Sequence, residues 1–251
     1  MPTRRLTLSV MLTLCLNYTG NTLAAERALR SCSSSHETII APGSMGGTGH
    51  EPVIPPGGMG GTGITTAGNL SSVHGTVVVQ DQSNQRIQLA SGDAICVGDR
   101  VASGDDSKAK ILFADGASLY LLKNTEIHID DYYYLAHAPE LGRSLVTLAR
   151  GDIRSVSGTI SKTNPKDYKL QTPTATIRVI GTDFLVTHLP EPEGELDAGT
   201  YTKVTSGEVS VQSTSGTIHL HVGESSHVML NGMQSRSSGS GAGSSGSCTA
   251  Q

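Results

Sequence analysis

The chain has 251 residues, of which 16% are charged, and its formal net charge is −4. This balance offers no basic surface of the kind that nucleic acid binding needs. Trp is absent and there are only 2 Phe, so the core is expected to be aliphatic, and one domain fits the composition better than two.

The N-terminus has the pattern of an export signal. Arg4 and Arg5 precede an apolar segment at residues 6–16, and Leu23-Ala24-Ala25 supplies the small residues of a cleavage site. The apolar segment is shorter than the roughly 20 residues that a membrane-spanning helix needs. Residues 1–25 are therefore predicted to be a signal peptide, and the mature protein to be periplasmic or secreted, without a membrane span.

Removal of the signal peptide leaves Cys32, Cys96 and Cys248 in an oxidising compartment. An odd number of cysteines defines no complete disulfide framework. The apolar run around Cys96 favours a buried thiol, and a Cys32–Cys248 bridge between the two tails is an open alternative. Lipidation of Cys32 is a further alternative, although Arg30 is atypical of the segment before a lipidated cysteine.

Residues 26–71 are predicted to be a disordered linker. Gly and Pro are dense there, and one short motif occurs twice, at 42–49 and 56–63. Such a segment cannot bury enough apolar surface to offset the entropy cost of ordering it. Residues 234–251 form a Ser/Gly-rich tail that is predicted to be disordered for the same reason.

The second copy of the repeat matches the glycine spacing of a dinucleotide site, with Gly58, Gly60 and Gly63. A true site needs a strand before the glycines and a helix after them, whose N-terminus binds the phosphates. Here Pro55-Pro56 precedes the motif and no helical pattern follows. No nucleotide site is expected.

Residues 72–233 show the alternation of half-buried strands. Apolar residues occupy every second position in several runs, for example Ile127 and Ile129, Val209 and Val211, and Ile218, Leu220 and Val222. Two continuous apolar runs, 77–79 and 111–113, predict strands buried on both faces. Residues 132–143 lack this alternation and are predicted to be a loop or a single helical turn.

A glycine followed by an acid recurs between these runs, at Gly92-Asp93, Gly151-Asp152 and Gly207-Glu208, and is interpreted as a turn. Similar turns that lead into similar strands are typical of stacked sheets. The sequence thus predicts an all-β single domain of short stacked strands, β-helix-like (solenoid-like) or sandwich-like, with flexible Gly-rich ends and negligible helix.

The stretch 172–184 is the centre of this predicted domain. Its β-branched residues predict a strand that begins at or just after Pro173, and Gly181 predicts a bulge or a close backbone approach. Asp183 lies within the apolar strand, so it should pair with a cation or reach solvent. Arg154 and Arg178 are the expected partners.

Together these motifs resemble the FecR-type domain of the bacterial envelope, over about residues 75–223. The motif residues occur in the family's order, and we interpret them as structural: Gly92, Asp93, Gly98, Asp99, Asp115, Gly116, Gly151, Arg154, Thr172, Pro173, Ala175, Gly181, Thr182, Asp183 and Phe184.

The best-known members of that family regulate iron-transport genes. They combine a cytoplasmic anti-sigma segment, one membrane span and a periplasmic domain that senses a transporter. This chain has an export signal in place of the first two parts and a Ser/Gly tail in place of the docking region. It therefore resembles the stand-alone secreted FecR-domain proteins.

The resemblance implies an exported, non-catalytic protein that binds or senses an envelope protein or a cell-surface polymer. One alternative is a structural or surface-adhesion module, and another is a periplasmic signal-transducing regulator of the iron-transport type. An enzyme is the third alternative, and it would need convergent polar groups in a cleft.

Patterns for catalysis and metal binding are incomplete in the sequence. There is no Gly-x-Ser-x-Gly elbow, no His-Glu-x-x-His helix and no Cys-x-x-Cys pair. His219, His221 and His227 come nearest to a zinc site but lack a fourth ligand. The aspartates match no calcium loop, and those next to Gly are first of all turn residues. We expect no catalytic residues, no metal and no cofactor.

Overall fold

A computed structural model describes residues 28–32 and 65–238. The described chain forms one 15-stranded sheet. Its strands are β1 (Thr66–His74), β2 (Val77–Gln80), β3 (Arg86–Gln88), β4 (Ala94–Cys96), β5 (Arg100–Ser103), β6 (Lys108–Phe113), β7 (Ser118–Leu121), β8 (Glu126–Tyr133), β9 (Arg143–Val156), β10 (Tyr168–Gln171), β11 (Thr176–Leu189), β12 (Gly199–Ser213), β13 (Gly216–Leu220), β14 (Glu224–Met229) and β15 (Gln234–Ser238). One short helix, α1 (Ile160–Thr163), and two 3-10 turns, Pro139–Leu141 and Pro165–Asp167, are also present.

The sheet is almost entirely antiparallel, and the all-β prediction is confirmed. Its main path runs β15-β14-β12-β11-β10-β9-β7-β6-β1-β4, and only β9 and β10 pair in parallel. The long strands change neighbours along their length. For example, the first half of β9 pairs with β8 and β10, and its second half with β7 and β11.

Two of the glycines interpreted as turns lie inside long strands. Gly151 is within β9 and Gly207 within β12, and both have positive φ, at +90° and +80°. Gly181, in β11, has φ +62° beside a register shift between Ile180 and Asp183, so the predicted bulge is present. These residues bend a strand instead of ending it, because glycine alone adopts positive φ readily. Gly92 (φ +95°) does form a turn, before β4.

The core follows the predicted alternation. Ile127 and Ile129 are fully buried, and the residues between and beside them are partly exposed. The two continuous apolar runs also alternate: Val78 is half-buried and Leu112 is 39% exposed, so the prediction of burial on both faces is wrong for them. The reason is that both strands belong to an antiparallel sheet, which buries only one face.

Strand structure extends beyond both predicted domain boundaries. β1 begins at Thr66, inside the predicted linker, and β15 lies inside the predicted tail. Ala67 and Leu70 of β1 are fully buried. The predicted signal peptide and the rest of the predicted linker and tail lie outside the described residues. Among the described helices, none is long and apolar enough to cross a membrane.

Candidate functional site

Residues 28–32, here called the strap, lie along β4 at the end of the main sheet path. The backbone N–H of Arg30 donates to Asp93 Oδ1 at 2.8 Å, and the N–H of Ala94 donates to the carbonyl of Arg30 at 3.0 Å. The side chain of Leu29 packs over Gly92, where an added Cβ would come within 3.2 Å of it. The strap therefore covers an edge that would otherwise be open.

The strongest contact of the strap is a buried ion pair. Arg30 Nη1 and Nη2 donate to the two carboxylate oxygens of Asp99, at 2.6 and 2.8 Å. Asp99 is 1% exposed and also accepts the N–H of Cys96 at 2.7 Å. The hydrogen bond to Asp99 raises the pKa of Arg30. Two motif acids, Asp93 and Asp99, thus bind an N-terminal segment that the sequence assigned to a linker.

A disulfide between Cys32 and Cys96 joins the strap to β4. Cys96 is buried as predicted, but it is not a free thiol, and Cys32 does not pair with Cys248. Because its sulfur is bonded, Cys32 is not available for lipidation. The sequence could not identify this pair, because 64 residues separate the two cysteines and only the strap's contacts with β4 bring them together.

Asp115 organises a second motif turn. Its carboxylate accepts hydrogen bonds from the Tyr132 hydroxyl at 3.1 Å and from the N–H groups of Ala117 and Ile160 at 3.2 and 3.1 Å. Burial raises the pKa of Tyr132 well above its ordinary value. Gly116 beside it has φ +85°. All these contacts are internal, which fits a structural role.

The ion pair between Arg154 and Asp183 joins β9 to β11. Arg154 Nε and Nη2 donate to the two oxygens of Asp183 at 2.9 and 2.5 Å, and the hydrogen bonds from Arg154 lower the pKa of Asp183. Arg178, the other expected partner, donates instead to Gln212 Oε1 at 2.7 Å. The pair lies on the outer face: the Arg154 side chain is 50% exposed and that of Asp183 is 18% exposed.

This exposure limits the effect of Asp183→Asn. Exposed ion pairs contribute about 1 kcal/mol or less, so we expect the substitution to lower the free energy of unfolding by no more than about 1 kcal/mol. Urea denaturation would measure the change, with Asp105→Asn in an exposed turn as the control. A loss of about 3 kcal/mol, the range for a stranded buried charge, would contradict the exposed geometry.

The threonines of the central motif form a buried polar cluster with His188. Thr172 Oγ1 accepts the N–H of Ala175 at 3.0 Å and lies 2.8 Å from Thr200 Oγ1, which lies 3.0 Å from His188 Nδ1. A histidine beside a threonine hydroxyl resembles a base and a nucleophile. Yet Thr200 is fully buried and His188 is 1% exposed, so no substrate reaches them. Pro173 is exposed just before β11.

The burial of His188 makes the stability of the protein depend on pH. Burial lowers the pKa of His188 from its ordinary 6.5, so the unfolded chain binds a proton at a higher pH than the folded one. Stability should therefore fall as the pH drops below about 6.5. We expect His188→Gln to weaken this dependence between pH 7 and 5 in thermal unfolding, and His74→Gln, at an exposed position at the end of β1, to leave it unchanged. Equal profiles for all three proteins would contradict this prediction.

The remaining motif residues have backbone or packing roles. Gly98 has φ +88° in the turn before Asp99, and its N–H donates to the carbonyl of Ile129 at 2.7 Å. The N–H of Thr182 donates to Ser157 Oγ at 2.7 Å, next to the Gly181 bulge. Phe184 is fully buried in the core.

The three histidines considered for zinc have other contacts. His219 lies 3.3 Å from Glu208, and His227 stacks on Tyr201 with ring centroids 4.0 Å apart. His221 is exposed after β13. Within residues 28–32 and 65–238, no group of three His, Cys, Asp or Glu residues is placed to hold a metal ion.

Comparison with known proteins finds a family match over the part of the chain that contains most of these motif residues. Residues 99–210 match the family model described as FecR protein. No curated protein matches the chain. A candidate anti-sigma factor from Parabacteroides distasonis, solved twice, is similar at 16% and 17% identity, with a TM-score of 0.44, over 55% of this chain and 59% of that one. A cell surface anchoring domain matches at 27% identity and a TM-score of 0.24, over 25% of this chain and 82% of that one.

Proposed function

We propose that this protein, which contains a FecR domain at residues 99–210, is an exported, non-catalytic module that binds or senses a partner in the bacterial envelope. The FecR domain supports a regulator-type, signal-transducing role in the envelope.

The observation that carries the proposal is the strap with its disulfide. A structural disulfide persists in an oxidising compartment outside the cytoplasm, so the Cys32–Cys96 disulfide supports export. The contacts of Arg30 also support the predicted cleavage after Ala25, because a chain cleaved there still contains the strap. Processing immediately before Cys32 would remove Arg30 and leave the buried carboxylate of Asp99 unpaired.

The partner site that we propose is the free edge of β15. The strap covers the edge at β4, whereas β15 pairs, among the described residues, with β14 alone, and residues 235–238 are exposed. Unpaired backbone groups at such an edge accept an added strand from another protein. β15 contains no proline that would block this pairing, and an ion pair between Arg236 and Glu224 fastens it to β14.

Export is tested in cells that express the full chain. We expect the protein in the periplasm or the medium, with Cys32 and Cys96 resistant to alkylation until they are reduced. Deletion of residues 1–25 should keep the protein in the cytoplasm with both thiols reactive. A full chain that stays in the cytoplasm with free thiols would refute the export part of the proposal.

Partner binding is tested by placing a photo-cross-linking amino acid at Ser237 in β15 and, as the control, at the exposed Ser83 in the turn between β2 and β3. We expect an envelope protein to be trapped from Ser237 and not from Ser83. If neither position traps a protein while the purified chain turns over a glycan, ester or peptide substrate, the binding-module proposal is wrong.

A further inference from the structure

One row of side chains crosses eight strands of the sheet. Consecutive members are register partners on neighbouring strands, from β1 through β6, β7, β9, β11, β12 and β14 to β15. We call this set the cross-strand row: Ser72, Lys110, Tyr120, Arg154, Leu185, Lys203, Ser225 and Ser237.

The row lies on the outer face of the sheet. On the five central strands, β6, β7, β9, β11 and β12, the neighbours of the row members along the strand point inward and are buried, as Ile153 and Ser155 do on either side of Arg154. The row members themselves are accessible: Arg154 is 50% exposed, Leu185 is 38% exposed and Lys203 is also exposed. The row is therefore open to a ligand from solution.

The cations recur at every second strand of the row. Lys110, Arg154 and Lys203 are separated by Tyr120 and Leu185. Neighbouring strands lie about 4.8 Å apart, so successive cations are about 10 Å apart. Two of the cations also lie over one aromatic ring: Lys110 Nζ and Arg154 Cζ are 5.2 and 5.8 Å from the centre of the Tyr120 ring.

The row is cationic although the chain as a whole has a net charge of −4. Asp183 neutralises part of the charge of Arg154, and Asp152 contacts the hydroxyl of Thr187. Among the described residues, no carboxylate forms an ion pair with Lys110 or Lys203. An anionic ligand would therefore find two unneutralised ammonium groups beside an arginine.

We propose that the cross-strand row binds an extended anionic polysaccharide with one acidic group in each disaccharide, lying across the strands. A spacing of about 10 Å between cations matches one charge per disaccharide, and it is much wider than the roughly 3.4 Å of helix axis per charge of one DNA strand. The proposal goes beyond the proposed function, because it adds a polysaccharide site on the sheet face to the protein-binding edge of β15, and it rests on the export of the protein.

The residues between the cations suit a sugar chain. The exposed side chain of Leu185, between Arg154 and Lys203, offers apolar surface to a sugar ring, and the Tyr120 ring supports the two cations that lie over it. Beyond Lys203, a shallow groove of about 390 Å³ is lined by Tyr201 and His227 and by the hydroxyls of Ser225, Ser235 and Ser237. These hydroxyls supply hydrogen-bond donors and acceptors for sugar hydroxyls.

The test uses the full chain, purified with its disulfide intact, and a hyaluronan decasaccharide as probe, because hyaluronan carries one carboxylate per disaccharide. We expect saturable binding that weakens at high salt. Lys110→Gln/Lys203→Gln should raise Kd by about tenfold or more, as expected when two charge contacts are lost. Lys123→Gln/Lys166→Gln, at exposed positions outside the strands, removes the same charge and should leave Kd unchanged.

Three outcomes would overturn the inference: equal binding of neutral dextran, equal weakening by the control variant, or binding of polyglutamate as tight as that of hyaluronan. The last would mean that charge alone is recognised, without the sugar. Binding is measured on purified protein and export in cells, so failure of this inference is distinguishable from failure of the proposed export.

Discussion

Arg30→Ala is expected to lower the free energy of unfolding by about 3 kcal/mol or more, because it leaves a buried carboxylate without its partner. Asp99 is 1% exposed, and Arg30 contacts both of its oxygens. Chemical denaturation of the oxidised protein would measure the loss. Arg86→Ala is the matched control, since Arg86 is exposed on β3 and should change stability by only about 0.5 kcal/mol.

A second substitution shows whether the stranded charge causes this loss. Asp99→Asn in the Arg30→Ala background removes the charge and should restore part of the stability, whereas Asp99→Asn alone should destabilise the protein. Such non-additivity is expected only for residues in direct contact. If Arg30→Ala is as stable as the control, the Arg30–Asp99 ion pair does not contribute to stability.

Removing the disulfide is expected to lower the free energy of unfolding by about 4 kcal/mol. In the chain-entropy account, the stabilisation grows with the length of the closed loop, and this loop joins cysteines that are 64 residues apart. Cys32→Ser, Cys96→Ser and the double substitution should therefore destabilise the protein to a similar extent. Denaturation with and without reductant provides the measurement.

Cys248→Ser is the informative control for this prediction. It should leave stability unchanged, because Cys32 pairs with Cys96. Peptide mapping without reduction should recover the Cys32 and Cys96 peptides joined. Recovery of Cys32 joined to Cys248, or a loss of stability in Cys248→Ser, would contradict the observed pairing.

The two changes act on the same segment, so their effects should not add. The disulfide keeps the strap beside β4, and Arg30 and Asp99 bind it there. Reduction of the disulfide releases the strap and loses part of its contact with β4. Arg30→Ala should therefore lower the free energy of unfolding less in the reduced protein than in the oxidised protein.

Local pattern alone was enough to determine the all-β class, the bulge at Gly181 and the two candidate partners of Asp183. Alternation of apolar and polar residues is a property of one strand, and a glycine or a charge within a strand constrains its immediate surroundings. The FecR resemblance likewise depended on residues that are close in the sequence, and the family match covers residues 99–210.

Only the tertiary structure decided which distant residues meet. Cys32 and Arg30 lie in a segment without strand pattern, and their partners Cys96 and Asp99 become neighbours only when β4 forms the end of the sheet. The glycine-acid pairs at 151 and 207 have the composition of turns, and the pairing of β9 and β12 with several neighbours makes them bends inside strands. The members of the cross-strand row lie on eight different strands, and only the register of strand pairing brings them into line. Register and edge position follow from strand order across the whole sheet, which no local sequence pattern specifies.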